Sequence, residues 1–214
     1  MGSEAERGLK INTIMIENKQ KIWLVRHGET EWAVLGRHTG RSDIPLTNMG
    51  VMQAEALGVR LAAHPFALVL SSPLQRAAET CRLAGYGEQA EFVDNLQEWD
   101  YGLYEGRTTL DIRSEKPAWT IWSGDPPGGE TLAQVAGRAD IIIDRAAAVD
   151  GDSLIFAHAH MLRVIAARWL GLPPKAARLL MLGTASLSIL GYEHESRVII
   201  NWNDLCHLSG LKGK

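Results

Sequence analysis
The sequence predicts an α/β fold: a largely parallel sheet flanked by helices, with an antiparallel element at its end. Three observations predict it. Short apolar runs at 21–26 (KIWLVR), 67–71 (ALVLS) and 153–157 (SLIFA) read as buried strands. Amphipathic stretches with helix start signals alternate with them, and that alternation calls for a parallel sheet with helices packed on it. Two β-rich runs, 185–191 and 197–202, then flank a polar turn at 193–196, which is a hairpin pattern.

The elements follow in chain order. Gly28, Gly36, Gly40 and Pro45 make 28–46 a long loop with room for one helical turn. Thr47 can N-cap a helix to about Ala63, with Ala54, Leu57 and Leu61 on one face. Ser72-Pro73-Leu74-Gln75 offers an N-cap, a first-turn proline and a capping-box glutamine for a helix that ends at Gly85. Residues 90–93 read as a short strand and 94–107 mostly as loop. Trp119, Trp122 and the cluster GDPPGG mark about 107–130 as an irregular insertion or lid. Glu130 and Thr131 start a long helix to about Val149. A helix near 161–170 follows the strand at 153–157 and is broken by Pro173-Pro174. Residues 21–207 form one domain, with 1–20 an extension outside the fold and 208–214 a tail.

Bulk properties narrow the function. A chain of 214 residues fits a single domain with a sizeable core. Its net charge of −3 provides no basic field for nucleic acid or an anionic membrane. The N-terminus lacks a signal-peptide core, and no segment nears a membrane span. Cys81 and Cys206 have no paired spacing, and reduced thiols in a cytoplasmic protein are the simplest expectation. A homodimer is admitted, although no residue calls for it.

The polar residues sit where strands end. Arg26-His27 follow the first strand, Ser71-Ser72 and Arg76 the second, and His158 a later one. Open α/β sheets bind ligands outside the carboxyl ends of their strands. Two imidazoles, two guanidinium groups and a helix N-terminus would there suit a compact anion, phosphate foremost. Histidine can also be a nucleophile toward a phosphoryl group. Glu98, packed beside Trp99, is the expected proton donor, its carboxyl raised by apolar surroundings. His158 and His160 could instead be half of a metal site. The nearby arginines oppose a cation, so neither metal nor cofactor is expected.

These residues resemble a known family. Arg26-His27-Gly28-Glu29-Thr30 is similar to the RHGxT signature of the histidine phosphatase superfamily, the phosphoglycerate-mutase-like proteins. GRHTGRSDIPLTNMGVMQA (36–54), SSPLQRAAET (71–80), LQEWDYGLYEG (96–106) and FAHAHMLR (156–163) resemble the family's further blocks, in family order. The resemblance implies a three-layer α/β/α fold and a phosphohistidine formed on His27. It implies that Arg26, Arg76 and His158 hold the phosphoryl group and that Glu98 protonates the leaving oxygen, with no metal. Thr39 and Gly40 match a loop on the substrate side, and Gly28 would leave room for backbone to approach the phosphate.

Within the family the sequence favours hydrolysis over mutase chemistry. Mutases follow the acid glutamate with Arg-x-Tyr; here Trp99-Asp100-Tyr101 follows Glu98, so the arginine is gone. The Trp-bearing blocks resemble broad acid phosphatases and a sedoheptulose bisphosphatase, which implies a small phosphorylated metabolite such as a sugar phosphate or bisphosphate. The alternatives are a cofactor-dependent phosphoglycerate mutase and a non-catalytic phospho-ligand binder. His38, Thr39, Gly40, Trp99, Tyr101, Ala159 and His160 are the expected substrate contacts. Ala33 replaces an asparagine common in the family, and Ala159 a glycine whose loss narrows the pocket floor. His64, His194 and His207 read as ordinary surface or loop residues.

Overall fold
The computed structural model describes residues 20–211. Expectations for 1–19 and 212–214 lie outside them. The strands are β1 (Ile22–Arg26), β2 (Leu68–Ser71), β3 (Glu91–Phe92), β4 (Ser153–Ala157), β5 (Leu187–Glu193) and β6 (Ser196–Asp204). They form one sheet in the order β3-β2-β4-β1-β5-β6. The first four are parallel, and β5 and β6 are the antiparallel element.

The helices are α1 (Glu31–Val34), α2 (Asn48–Leu61), α3 (Gln75–Leu83), α4 (Thr109–Glu115), α5 (Leu132–Ala147) and α6 (Ala159–Trp169). Strand side chains alternate between two cores. Ile22, Leu24, Leu70, Ile155 and Ala157 pack with α5 and α6, among them Ile142, Leu162 and Ile165. Trp23, Val25, Val69, Leu154 and Phe156 pack with Leu57, Leu61 and Cys81 of α2 and α3. The result is the three-layer α/β/α arrangement. Each large apolar side chain buried this way contributes about 1.5–3 kcal/mol.

Local signals account for most boundaries. Thr47 caps α2, and Thr131 with Gln134 forms a complete capping box on α5. Gly85 takes φ +91° just past α3, where a side chain would be strained. The start of α3 departs from expectation. Its N-cap is Leu74, with no side-chain cap, so Ser72 and Pro73 lie outside the helix. The hydroxyl of Ser72 is engaged by His158 at 2.8 Å, and the Gln75 N–H donates to Asp43 Oδ1 at 2.7 Å instead.

In the segment 107–130, Ile112, Trp119 and Ile121 are buried against the α5/α6 core. Both cysteines are free, Cys81 buried and Cys206 exposed. No helix among the described residues is long and apolar enough to cross a membrane.

Candidate active site
Register explains the convergence. Strand β4 lies between β1 and β2, with Arg26 opposite Ala157 and Ser71 opposite Phe156. His27, His158 and Ser72 each come one or two residues later, on the same sheet edge. The rings of His27 and His158 are 5.2 Å apart, centroid to centroid.

His27 is buried, and its Nδ1–H donates to the Gly28 carbonyl at 2.7 Å. A carbonyl only accepts, so the proton sits on Nδ1 and the Nε2 lone pair is left for chemistry. Burial, then Arg76 and Arg26, hold its pKa well below the usual imidazole value. The ring is therefore neutral, as a nucleophile must be.

His158 has the opposite tautomer. The Arg76 Nε–H donates to its Nδ1 at 3.1 Å, so its Nε2–H donates to Ser72 Oγ. Burial and Arg76 lower its pKa well below the ordinary range. The rest of the Arg76 guanidinium binds chain carbonyls: Ser42 at 2.9 Å, Thr39 at 3.0 Å and Gly40 at 2.9 Å. The His158 ring, held by Arg76, thus packs beside His27, and Arg26 lines the cavity with His27.

Arg26 donates through one terminal nitrogen to the Leu182 carbonyl at 2.6 Å. Its Nε is buried without a partner. An unpaired donor on a buried cation is costly and is matched by an anion. The cavity, about 80 Å³, is lined by Arg26, His27, Thr30, Ala33, Arg37, His38, Thr39, Glu98, Tyr101, Ala159 and His160. A larger cleft of about 710 Å³ runs along α3, between residues such as Arg82 and Phe92, and carries none of this chemistry.

Glu98 corrects an expectation. Its Oε1 accepts from the N–H groups of Trp99 and Met161, and its Oε2 from that of His160, each at 3.0 Å. Burial pushes its carboxyl up, but the neighbouring His160 side chain, then the His158 ring and the His160 N–H, outweigh that and hold it well below the usual range. It is ionised at rest. Arg138 fixes the loop that carries it, through the Asn95 and Gln97 carbonyls at 2.8 Å and a two-pronged pair with Glu130.

The remaining expected contacts divide. His38, Thr39, Tyr101, Ala159 and His160 line the cavity. Burial and then His160 push the His38 pKa down to about 4. Trp99 is in the core, its Nε1–H donating to the Glu130 carbonyl. Gly40 is a structural tie: its N–H donates to Glu105 Oε1, and a Cβ there would meet the Trp99 carbonyl at 2.5 Å. Gly28 makes room for Gly50, whose carbonyl a Cβ would meet at 2.5 Å. Sequence reasoning missed Arg37, an exposed cavity residue two positions before Thr39. It also missed Arg138, whose only signal was a charge on an amphipathic helix. Among the described residues there is no cluster of three metal-ligating side chains.

The family model for the histidine phosphatase superfamily (branch 1) matches residues 22–205. The chain belongs to this superfamily. An acid phosphatase of Mycobacterium tuberculosis is 40% identical over 181 residues, covering 83% of this chain and 89% of that one. A protein of Proteus mirabilis named probable phosphoglycerate mutase is 31% identical, covering 89% and 96%. The solved structure of an open reading frame from Mycobacterium tuberculosis superposes with a TM-score of 0.83 at 38% identity, covering 86% of this chain and 97% of that one. One of these relatives is named a phosphatase and another a probable mutase, so the choice between the two chemistries falls to the site.

Proposed function
We propose that the protein hydrolyses phosphate monoesters of small metabolites through a phosphohistidine on His27. One observation carries this: a buried, neutral His27, its proton on Nδ1, lines the same small cavity as the guanidinium-bearing Arg26. The lone pair of His27 Nε2 attacks phosphorus, and Arg26 neutralises the oxygens as charge moves onto them. Water then attacks the phosphohistidine and releases phosphate. Sugar phosphates and bisphosphates are the substrates the sequence blocks favour.

Hydrolysis fits better than mutase chemistry. A mutase must grip its substrate's carboxylate after Glu98, and that position holds Trp99, fully buried. The next arginines are committed elsewhere, Arg107 to Glu115 and Arg113 to the Trp119 carbonyl. Incubation with a panel of phosphate esters is the test. Wild-type protein should release phosphate and incorporate an acid-labile phosphoryl group, and His27→Ala should do neither. Undiminished release by His27→Ala would overturn the proposal. Interconversion of phosphoglycerates with a bisphosphate primer, without hydrolysis, would favour the mutase.

A further inference from the structure
The cavity that holds His27 is small. At about 80 Å³ it falls well below the roughly 300–1,000 Å³ that enclose a whole organic ligand. It suits a phosphoryl group, so the rest of an ester must lie across the mouth. The groups at the mouth then decide which esters are held.

A guanidinium stands there. Arg37 lines the cavity with Arg26 and His27, and unlike them it is exposed. Among the described residues that line the cavity, Arg26 and Arg37 are the only arginines, and there is no lysine. Arg26 donates to the Leu182 carbonyl. The Arg37 guanidinium has no hydrogen-bond or ion-pair partner among the described residues and sits over the Trp32 ring, 5.8 Å from its centroid. Asp111 lies within its field, but Asp111 Oδ2 accepts from the Thr108 N–H at 2.9 Å and from the Thr108 hydroxyl at 2.7 Å, in the capping box of α4.

The mount of this guanidinium is rigid. Gly36 takes φ +65° and turns the chain after α1, so that the Arg37 N–H donates back to the Trp32 carbonyl at 2.9 Å. Arg37 pairs with Thr108 in an antiparallel bridge. The His38 N–H donates to the Arg107 carbonyl at 2.9 Å, and the Gly106 N–H to the His38 carbonyl at 2.8 Å. Trp32 is seated on the same ladder: a Cβ at Gly106 would meet its ring at 2.9 Å. A guanidinium stacked on a fixed ring keeps its planar fork of donors and loses little freedom when it meets an oxyanion.

We propose that Arg37 is a specificity-determining residue that binds a second anionic group of the substrate, a phosphate or carboxylate beyond the ester, while Arg26 and His27 engage the phosphoryl group. Trp32 is the positioning residue beneath it. The substrate class is then a phosphate monoester with a second anionic end. The proposal rests on the phosphatase reading of the same cavity.

Three esters test this. Fructose 1,6-bisphosphate carries a second phosphate, 3-phosphoglycerate a carboxylate and glycerol phosphate neither. Arg37→Gln should lose about 10–50-fold in kcat/KM on one or both of the first two, through KM, and less than about threefold on the third. The ester that shows the loss names the anion. Arg37→Lys keeps the charge without the fork and should recover part of the loss, and Trp32→Leu should show part of it. Salt should raise the wild-type KM more steeply for the two-ended ester than for glycerol phosphate, and Arg37→Gln should remove that difference. An equal loss on all three esters, or none on any, would overturn the proposal. Thermal shifts in the His27→Ala background repeat the comparison without turnover: the shift produced by the two-ended ester should shrink toward that of glycerol phosphate when Arg37→Gln is added. An unchanged shift would also overturn the proposal. Turnover by His27→Ala would instead remove the phosphohistidine reading and leave the Arg37 comparison standing.

Discussion

The Nε–H of Arg76 donates to Nδ1 of His158 at 3.1 Å, across 82 residues of chain. This bond selects the tautomer of His158 and so directs its other proton to Ser72. With three loop carbonyls on the same guanidinium, Arg76 ties α3, the 39–42 loop and the end of β4 together. Lysine keeps the charge but lacks the fork. Arg76→Lys should cost about 2–4 kcal/mol in urea unfolding, because buried acceptors lose their donors. Ester turnover should fall at least tenfold. A variant with wild-type midpoint and rate would show that the tie is dispensable.

Stability should fall as the medium is acidified from pH 6.5. His27 and His158 have folded-state pKa values well below 6.5, so their unfolded forms bind protons first. The stability is fully present above the unfolded value and is lost progressively below it. Glu98, also depressed in the fold, adds a further loss only below about the unfolded glutamate value of 4.3. Between these limits the histidines dominate. The thermal midpoint should drop through that window, and His27→Asn should flatten the slope. A midpoint unchanged from pH 7 to 5 would mean that the rings charge freely in the folded state.

Gly28→Ala should destabilise the fold by about 1–3 kcal/mol, a typical cost of overpacking. The added methyl would stand 2.5 Å from the Gly50 carbonyl, and Gly50 is equally tight against Glu29. Backbone must yield on one side, and the side that carries His27 is the shorter lever. Denaturant midpoint and turnover should therefore fall together. Loss of turnover with an unchanged midpoint would place the glycine's role at the phosphate instead.

Strand-end chemistry was legible in the sequence because the cues were local and covalent. His27 adjoins β1, His158 adjoins β4, and the parallel register brings them together. The α5 capping box was legible for the same reason. What escaped depended on partners distant in sequence. Glu98 looked like a carboxyl in apolar surroundings until the amides of His160 and Met161 arrived from α6. Trp99 was an expected substrate contact until α5 and the segment before it supplied a core for its ring. No spacing rule links Arg138 to the carbonyls of 95 and 97.

Asp43 is the last such case, and it is directly testable. The local reading gave the α3 cap to Ser72, but Ser72 serves His158, and the Gln75 N–H turns to Asp43 Oδ1 at 2.7 Å. A carboxylate there also meets the positive end of the helix dipole. Asp43→Ala should cost about 1 kcal/mol, the usual loss for a removed cap. Asn keeps an acceptor and should recover most of it. Because Arg76 is the second residue of α3, fraying of that turn should lower turnover in Asp43→Ala more than in Asp43→Asn. Ser72→Ala makes the control. It should keep the Asp43 cap while stripping the buried Nε2–H of His158 and the Leu74 N–H of their acceptor, so it should change the rate and cost about 1–3 kcal/mol by a route other than the cap. If Ser72→Ala destabilises as a cap deletion does and Asp43→Ala does not, the helix is capped locally after all.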